Sequence, residues 1–215
     1  AKSTIAVSRT ETFGKIAETG GLPIPLAYYG AATGRWSGRD GINLQNLPRG
    51  GALRKSITAP KGQVIVVGDL GQIEARVLAM LAGQESDIDI FRTGRDPYKE
   101  LAKAHFGVEE VTPTQRQFGK AMRLGLGFGM GAMKFRDSVA KGFMGTPKVI
   151  LTAEEAVRAV RNYRDINFSI VDYWSAAEHE ALYLMQSATP DEEIEWGGYF
   201  TIGREFIRLP NGMKL

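Results

Sequence analysis

The sequence predicts an α+β protein that is mostly helical. Apolar residues recur at helical spacing through the middle of the chain, from about residue 73 to about residue 186. A run of four β-branched residues at 64–67 is typical of a buried strand. Two short strand-like segments follow the helices, at 193–199 and 200–209. We therefore expect a helical body joined to a small sheet.

The composition is that of a globular protein with one core or two small lobes. The chain has 215 residues, of which 43% are hydrophobic and 24% are charged. A net charge of +3 permits a polyanionic partner but does not require one. The absence of cysteine excludes disulfides, thiol chemistry and cysteine metal sites. No apolar run approaches the ~20 residues of a membrane span, so no membrane partner is expected.

The chain begins at Ala1 without a methionine and ends at Leu215, directly after a turn. We therefore expect it to be a piece of a longer protein.

The first quarter of the chain predicts a helix at 3–18 and then a glycine-rich loop. Cations, aromatic rings and carboxamides are interleaved in this loop: Tyr28, Tyr29, Arg35, Trp36, Arg39, Asn43, Gln45, Asn46 and Arg49. Cations suit phosphates and amides can reach base edges, so the loop fits a nucleic-acid contact. It fits a solvated surface loop equally well.

The stretch 64–76 places a carboxylate at the end of the predicted buried strand. The strand ends at Gly68 and Asp69, and a helical pattern then runs to a C-terminal glycine at Gly83. Asp69 could hold a hard cation there. The alternative is an ordinary helix N-cap, and the stretch alone favours this alternative.

Further helices are predicted at 86–92, 97–106, 132–141, 152–163 and 167–186, with a loop at 142–147 and a hairpin turn at 210–212. The two histidines, His105 and His179, are isolated from each other, which argues against a zinc site. His105 is expected at the edge of the core.

A helix predicted at about 113–129 carries the second chemical signal. Thr112, Pro113 and Gln115 form a capping-box start. A stripe at spacing four follows, cationic first and then apolar: Arg116, Lys120, Leu124 and Phe128. A phosphate chain could lie on the cationic half and a base on the apolar half, with Gly125, Gly127 and Gly129 allowing close approach. The alternative is an amphipathic helix with a solvated basic face, against which the helical glycines weigh.

Three stretches in this order and spacing resemble the A-family (polymerase I-like) DNA polymerases, particularly the phage branch. The segment 33–37, taken with 43–48, resembles the primer–template contact motif. The segment 69–76 resembles motif A, and the segment 116–129 resembles motif B on the mobile nucleotide-binding helix of the fingers.

The resemblance implies a DNA-directed DNA polymerase with a mostly helical fingers subdomain attached to part of an antiparallel palm sheet. Residues 1–70 would be partial palm with the contact motif and the motif A strand. Residues 71–190 would be the fingers, and 191–215 the start of a palm hairpin. The implied partners are primer–template DNA, deoxynucleoside triphosphates and the remaining palm and thumb, in the cytoplasm of a bacterial or phage-infected cell.

The resemblance also implies a role for each matching residue. Asp69 would be a catalytic aspartate that holds two Mg²⁺ ions, with the carbonyl of Leu70 as a further ligand. The implied nucleotide-binding residues are Arg116, Lys120, Leu124, Phe128, Gln72 and Glu74, the last as the gate that excludes a ribose 2′-hydroxyl. The implied DNA-binding residues are Arg35, Asn43, Gln45, Asn46 and Arg54.

The sequence departs from the family pattern at several of these positions. Leu124 replaces the usual aromatic residue, Phe128 the usual tyrosine, and Leu70-Gly71 the usual Tyr-Ser pair. Asp96-Pro97-Tyr98 stands where the family has Asp-Ile-His. No counterpart of the second catalytic aspartate precedes Leu215, so we expect this chain alone to be inactive.

Two other functions remain open. A single-subunit RNA polymerase shares the motif A aspartate and the Arg-x-x-x-Lys helix, but Glu74 argues against it. The second is a non-catalytic module that binds nucleic acid or nucleotide, which would agree with the presence of only one of the two catalytic aspartates, Asp69.

Overall fold

A computed structural model describes residues 2–31, 33–47 and 50–215. Helices dominate, and the described strands form two small antiparallel sheets, so the predicted α+β class is confirmed. The chain divides into two compact units, 1–69 and 70–215. Within the described residues, no helix combines the length and apolarity needed to cross a membrane.

The first unit contains one long helix followed by short elements. Helix α1, Lys2–Thr19, confirms the helix predicted at 3–18. Strands β1, Leu26–Ala27, and β2, Ser37–Gly38, pair antiparallel and close the glycine-rich loop. A 3₁₀ turn at Leu44–Asn46 and helix α2, Ala52–Lys55, follow. Pro48 and Arg49 of the predicted contact motif lie outside the described residues.

The buried strand predicted at 64–67 is wrong. These residues form no strand, and their side chains are exposed, with Val66 at 87% and Val67 at 86%. A β-branched run favours extended backbone, but a strand also needs a neighbour for its hydrogen bonds. None of the described strands pairs with this segment.

The second unit begins with a series of helices. Their bounds are α3 Ile73–Ala82, α4 Glu85–Arg92, α5 Pro97–Phe106, α6 Pro113–Leu126, α7 Ala132–Ala140 and α8 Ala153–Ile166. Gly83 ends α3 in the left-handed conformation, at φ 63°, as its position predicted. The helix predicted to end near Tyr163 continues to Ile166.

The long helix predicted at 167–186 is present but not uniform. It consists of α9, Phe168–Ala176, a π-helical turn, Ala177–Ala181, and α10, Leu182–Ser187. Along this helix, Ile170 and Ala181 are buried, whereas Leu182 is 49% exposed. The loop predicted at 142–147 contains a 3₁₀ turn at Phe143–Gly145.

The main core lies around α6. Helices α5, α7 and α8 surround this helix and contribute the other buried side chains. The buried cluster consists of Leu101, Phe118, Ala121, Met122, Leu126, Phe135, Val139, Ala159, Val160 and Tyr163. One side of α6 is therefore fixed by packing, and the side chains of the other side are half-buried or exposed.

A three-stranded antiparallel sheet closes the chain. Its strands are β3 Glu193–Trp196, β4 Phe200–Gly203 and β5 Phe206–Arg208, in the order β3-β4-β5. The single strand predicted at 200–209 is thus two strands, because the chain turns at Arg204 and Glu205, where Glu205 has φ 64°. The hairpin predicted at 210–212 is confirmed by reciprocal backbone hydrogen bonds between Ile207 and Leu215.

Candidate nucleotide-binding helix and nucleic-acid contacts

Helix α6 begins with the predicted capping box. The hydroxyl of Thr112 accepts a hydrogen bond from the amide of Gln115 at 3.3 Å, and the Gln115 side chain accepts from the amide of Thr112 at 2.9 Å. Pro113 occupies the first turn. The cap fixes the start of the helix at Pro113, so Arg116 lies near the N-terminal end and Lys120 one helical turn further along.

Arg116 is already paired within the protein. Its Nε donates to Oδ2 of Asp96 at 2.6 Å, and its guanidinium lies over the ring of Tyr98 at 5.4 Å from the centroid. Partial burial raises the pKa of Asp96, but hydrogen bonds from Arg116 and from two backbone amides outweigh it and hold that pKa below its usual value. Asp96 therefore remains ionised at neutral pH.

Lys120 and Leu124 continue the predicted stripe along α6. Both side chains are half-buried, one helical turn apart, and Lys120 forms no ion pair within the described part of the chain. Phe128 lies beyond the helix, which ends at Leu126 rather than at about 129, and its ring is 67% exposed. Three of the four stripe residues thus share the helix, and Phe128 extends from the turn after it.

The glycines of this helix serve packing rather than access by a base. A Cβ on Gly125 would lie 3.3 Å from the ring of Phe135, and a Cβ on Gly119 would lie 2.2 Å from the carbonyl oxygen of Tyr98. Gly127 is buried as well, and Gly129 turns the chain at φ 71°. The prediction that Gly125 and Gly127 allow close approach of a base is therefore wrong, because their open faces meet the protein.

Arg123, on the buried side of α6, is a residue that sequence reasoning missed. Its Nη2 donates to Oδ1 of Asp87 at 2.9 Å, its Nη1 also donates to Oδ2, and Nη1 reaches Oδ1 of Asn167 at 3.3 Å. Burial lowers the pKa of Arg123, but the contacts with Asp87 outweigh it and raise that pKa above its usual value. No local pattern predicts a partner 36 positions away.

The turn before α3 holds the residues that resemble motif A. Gln72 is the N-cap of α3 and adopts the left-handed conformation, at φ 58°, which is unusual for a residue with a side chain. The Nε of Arg76 donates to the carbonyl of Gly71 at 2.9 Å and braces this turn. Glu74 lies in the first turn of α3, and its side chain is exposed.

Asp69 lies in an exposed, irregular segment. Since the N-cap of α3 is Gln72, the interpretation of Asp69 as a helix cap is wrong. The Asp69 carboxylate and the Leu70 carbonyl are hard oxygen donors of the kind that Mg²⁺ prefers. Among the described residues, however, no three His, Cys, Asp or Glu side chains cluster as a metal site. This donor set has the right chemistry for Mg²⁺ but is incomplete for two ions.

The predicted DNA contacts lie in the first unit. Arg35 occupies the loop between β1 and β2 beside Trp36, whose ring packs edge-on against Tyr28 at 5.1 Å. Asn43 precedes the 3₁₀ turn that contains Gln45 and Asn46, and Arg54 lies in the last turn of α2. The side chains of Arg35, Gln45 and Arg54 are exposed, and Asn43 is half-buried. Arg35, Gln45 and Arg54 are therefore accessible to a ligand, whereas Oδ1 of Asn43 is buried and has no hydrogen-bond partner among the described residues.

Comparison with known proteins agrees with the sequence motifs. The model of a family described as DNA polymerase family A matches residues 14–186. The chain is 36% identical to DNA polymerase I, thermostable, from Thermus thermophilus, an alignment that covers 68% of this chain and 17% of that protein. It is 30% identical to the DNA polymerase of Bacillus phage SP02, covering 88% of this chain and 34% of the phage protein.

A solved structure is similar as well. The POL domain of Pol1 from M. smegmatis, in complex with DNA primer-template and dNTP, matches with a TM-score of 0.65 and 28% identity. The match covers 84% of this chain and 31% of that one. The chain therefore spans about a third or less of the length of each of these relatives.

Proposed function

Because the chain belongs to DNA polymerase family A, we propose that the polypeptide carrying it extends a DNA primer on a DNA template. The substrates would be deoxynucleoside triphosphates and the partner primer–template DNA. The reaction would be nucleotidyl transfer to the primer 3′ end with release of pyrophosphate. The complex of the M. smegmatis relative with primer-template and dNTP supports both ligand classes.

The observation that carries this proposal is the accessible side of α6. Arg116 and Lys120 lie one helical turn apart, Arg116 nearer the capped N-terminus, and both are half-buried rather than fully covered. Two cations at this spacing, together with the helix dipole, suit a chain of phosphates. We assign the triphosphate to Arg116 and Lys120.

The remaining nucleotide contacts would come from the C-terminal half of α6, from the turn after it and from the start of α3. Leu124 would contact the base or sugar, and Phe128, exposed in the turn after α6, would contact the base pair from the template side. Gln72 and Glu74 lie at the start of α3. Glu74 would occupy the space that a ribose 2′-hydroxyl needs, so deoxynucleotides would be preferred.

Primer–template DNA would be held by residues of the first unit. Arg35 and Arg54 would contact phosphates, and Asn43, Gln45 and Asn46 would contact bases or sugars near the new base pair. We assign residues 1–70 to the palm, 71–190 to the fingers and 191–215 to a palm hairpin. The remaining palm and thumb would belong to the longer polymerase, acting in the cytoplasm of a bacterial or phage-infected cell.

Asp69 would be a metal ligand, with the carbonyl of Leu70 beside it. Mg²⁺ bound there would stabilise negative charge on the departing pyrophosphate. The segment 69–76 supplies one acidic ligand, Asp69. The other carboxylates of a two-ion site would therefore come from other segments of the polymerase.

Nucleotide binding by the 215-residue chain tests the proposal directly. Titration with a deoxynucleoside triphosphate and Mg²⁺ should show binding that Arg116→Ala and Lys120→Ala each weaken by about tenfold or more, the size of one charge-assisted contact. Arg161→Ala removes an exposed cation on α8 and is the matched control, expected to change nothing. An equal loss of affinity in all three variants would show that only the net charge of the protein matters, and would contradict the assignment.

Primer extension by the polypeptide that carries these residues tests the chemistry. Asp69→Asn should abolish extension while leaving triphosphate binding by α6 within a few-fold of wild type. Full extension by this variant would refute the role of Asp69. A preference of the wild type for ribonucleotides would instead favour an RNA polymerase.

A further inference from the structure

We infer that Asp96 is a positioning residue that orients the Arg116 guanidinium for the triphosphate. The inference rests on the proposed function, in which Arg116 binds phosphate. Asp96 touches no substrate in this scheme; it acts through Arg116. Asp96 and Tyr98, which together hold the guanidinium, are called the Arg116 cradle below.

The carboxylate of Asp96 is itself fixed. Its Oδ1 accepts hydrogen bonds from the amides of Tyr98 at 2.9 Å and Lys99 at 3.3 Å, as the N-cap of α5. Its Oδ2 is left to accept from Nε of Arg116. One oxygen therefore anchors the carboxylate to the backbone, and the other anchors the arginine.

The geometry leaves the terminal nitrogens of Arg116 for a ligand. Asp96 engages Nε, the ring of Tyr98 covers one face, and within the described part of the chain no other ion pair occupies the guanidinium. The side chain retains 34% of its exposure. A guanidinium bound through Nε still presents its two terminal amino groups, which can donate in parallel to phosphate oxygens.

Close packing of α5 against α6 keeps Asp96 next to Arg116. Gly119 lies one turn after Arg116 and packs against the carbonyl of Tyr98, where any Cβ would lie only 2.2 Å from that oxygen. This close approach of backbones sets the separation of Asp96 and Arg116. A pre-oriented arginine loses less side-chain entropy when a ligand binds, so the cradle should increase affinity.

The test uses Asp96→Asn, which keeps the cap because asparagine caps helices as well as aspartate does. With the amide oxygen accepting from the cap amides, the amide nitrogen faces Nε of Arg116 and cannot accept from it, so the variant loses both the charge and this hydrogen bond. The matched control is Asp89→Asn, which removes the same charge from the exposed pair of Asp89 with Arg95 and does not touch Arg116.

Nuclear magnetic resonance of the arginine side chains reports on the cradle without any nucleotide. The Nε–H of Arg116 should be resolved and protected from solvent exchange in the wild type and in Asp89→Asn, and lose protection in Asp96→Asn. An Nε–H that is equally unprotected in all three proteins would refute the Arg116 cradle, whether or not these proteins bind nucleotide.

Titration with deoxynucleoside triphosphate and Mg²⁺ then measures whether the Arg116 cradle strengthens triphosphate binding. Asp96→Asn should weaken binding by about threefold to tenfold, the range expected when one long side chain must be ordered by the ligand. The double variant Asp96→Asn/Arg116→Ala should bind no worse than Arg116→Ala alone. Additive losses would show that Asp96 acts elsewhere, and tighter binding by Asp96→Asn would make it a competitor; either result overturns the inference.

These outcomes are distinct from failure of the proposed function. If Arg116→Ala leaves triphosphate binding unchanged, the proposed function fails at Arg116 and the inference fails with it. If Arg116→Ala weakens binding and Asp96→Asn does not, the proposed function stands and the positioning role alone is refuted.

Discussion

Arg123 and Asp87 form a two-pronged ion pair in the core that joins α6 to α4. Their side chains are only 4% and 3% exposed. Asn167 extends the contact, because its Oδ1 accepts from Arg123 and its Nδ2 donates to the carbonyl of Tyr163 at 2.7 Å. Helix α6 is thus held from its buried side by a polar network as well as by apolar packing.

Removing one partner of this pair should lower the free energy of unfolding strongly, whereas replacing both partners by apolar residues should lower it little. Arg123→Leu leaves a buried carboxylate without its partner, so we expect a loss of about 3–5 kcal/mol in the free energy of unfolding. The double variant Asp87→Leu/Arg123→Leu should recover most of that loss, because two apolar side chains carry no desolvation penalty. Urea unfolding of the single and double variants measures the coupling.

Arg95→Ala is the control for that cycle. Arg95 forms ion pairs with Asp89 and, at 3.2 Å, with Glu100, and its side chain is 44% exposed, so each pair should contribute less than about 1 kcal/mol. Arg123→Leu behaving as mildly as Arg95→Ala would contradict the structural role of the buried pair.

The parts of the fold that the sequence predicted are those determined locally. Caps set helix ends within a turn, so the capping box at Thr112 and the C-terminal glycine Gly83 correctly predicted where α6 begins and α3 ends. The strand at 64–67 failed because pairing depends on distant residues that no local pattern reveals.

In the candidate site, too, the sequence predicted only the features that are determined locally. The spacing of Arg116 and Lys120 could be read from the sequence because helical periodicity is local. The contact of Asp96 with Arg116 and the burial of Arg123 could not be predicted in this way. The sequence of a helix does not show whether water or a carboxylate surrounds one of its cations. Tertiary packing alone distinguishes the two.

Gly119→Ala should destabilise the second unit although alanine favours helices. Its Cβ would meet the backbone carbonyl of Tyr98 at 2.2 Å, so α5 and α6 must separate. We expect a net loss of about 1–3 kcal/mol, the usual cost of overpacking. Gly14→Ala, in α1, meets nothing within 4 Å and should be neutral or stabilising by up to ~1 kcal/mol. Thermal unfolding compares the two, and equal stability of both variants would contradict the close approach.

His105 should make the protein less stable in mild acid. Burial against Phe106 and Phe118, and then the positive charge of Arg158, lower the pKa of His105 below 6.5. The unfolded chain therefore binds the proton more readily, so stability is complete above about pH 6.5 and falls as the pH drops towards the folded value. Urea unfolding between about pH 5 and pH 7.5 measures this slope.

His105→Gln should flatten that profile. Glutamine cannot take up a proton, and an amide can still reach the side chain of Asn162, which lies 3.2 Å from Nδ1 of the histidine. His179→Gln changes the exposed histidine of the π-helical turn and should keep the wild-type slope. A slope that follows His179 rather than His105 would show that burial of His105 is not the cause.

Hydrogen exchange should distinguish the segment 64–67 from a strand. Its amides pair with no described strand and its side chains are exposed, so they should exchange at nearly the rate of an unfolded peptide. The amides of α6 are bonded within a helix that packs on the core, so they should be protected by several orders of magnitude. Protection of 64–67 that rises with protein concentration would mean that the segment pairs between molecules, and Val66→Lys should then remove it. Protection that is strong and independent of concentration would contradict the exposed segment and restore the buried strand.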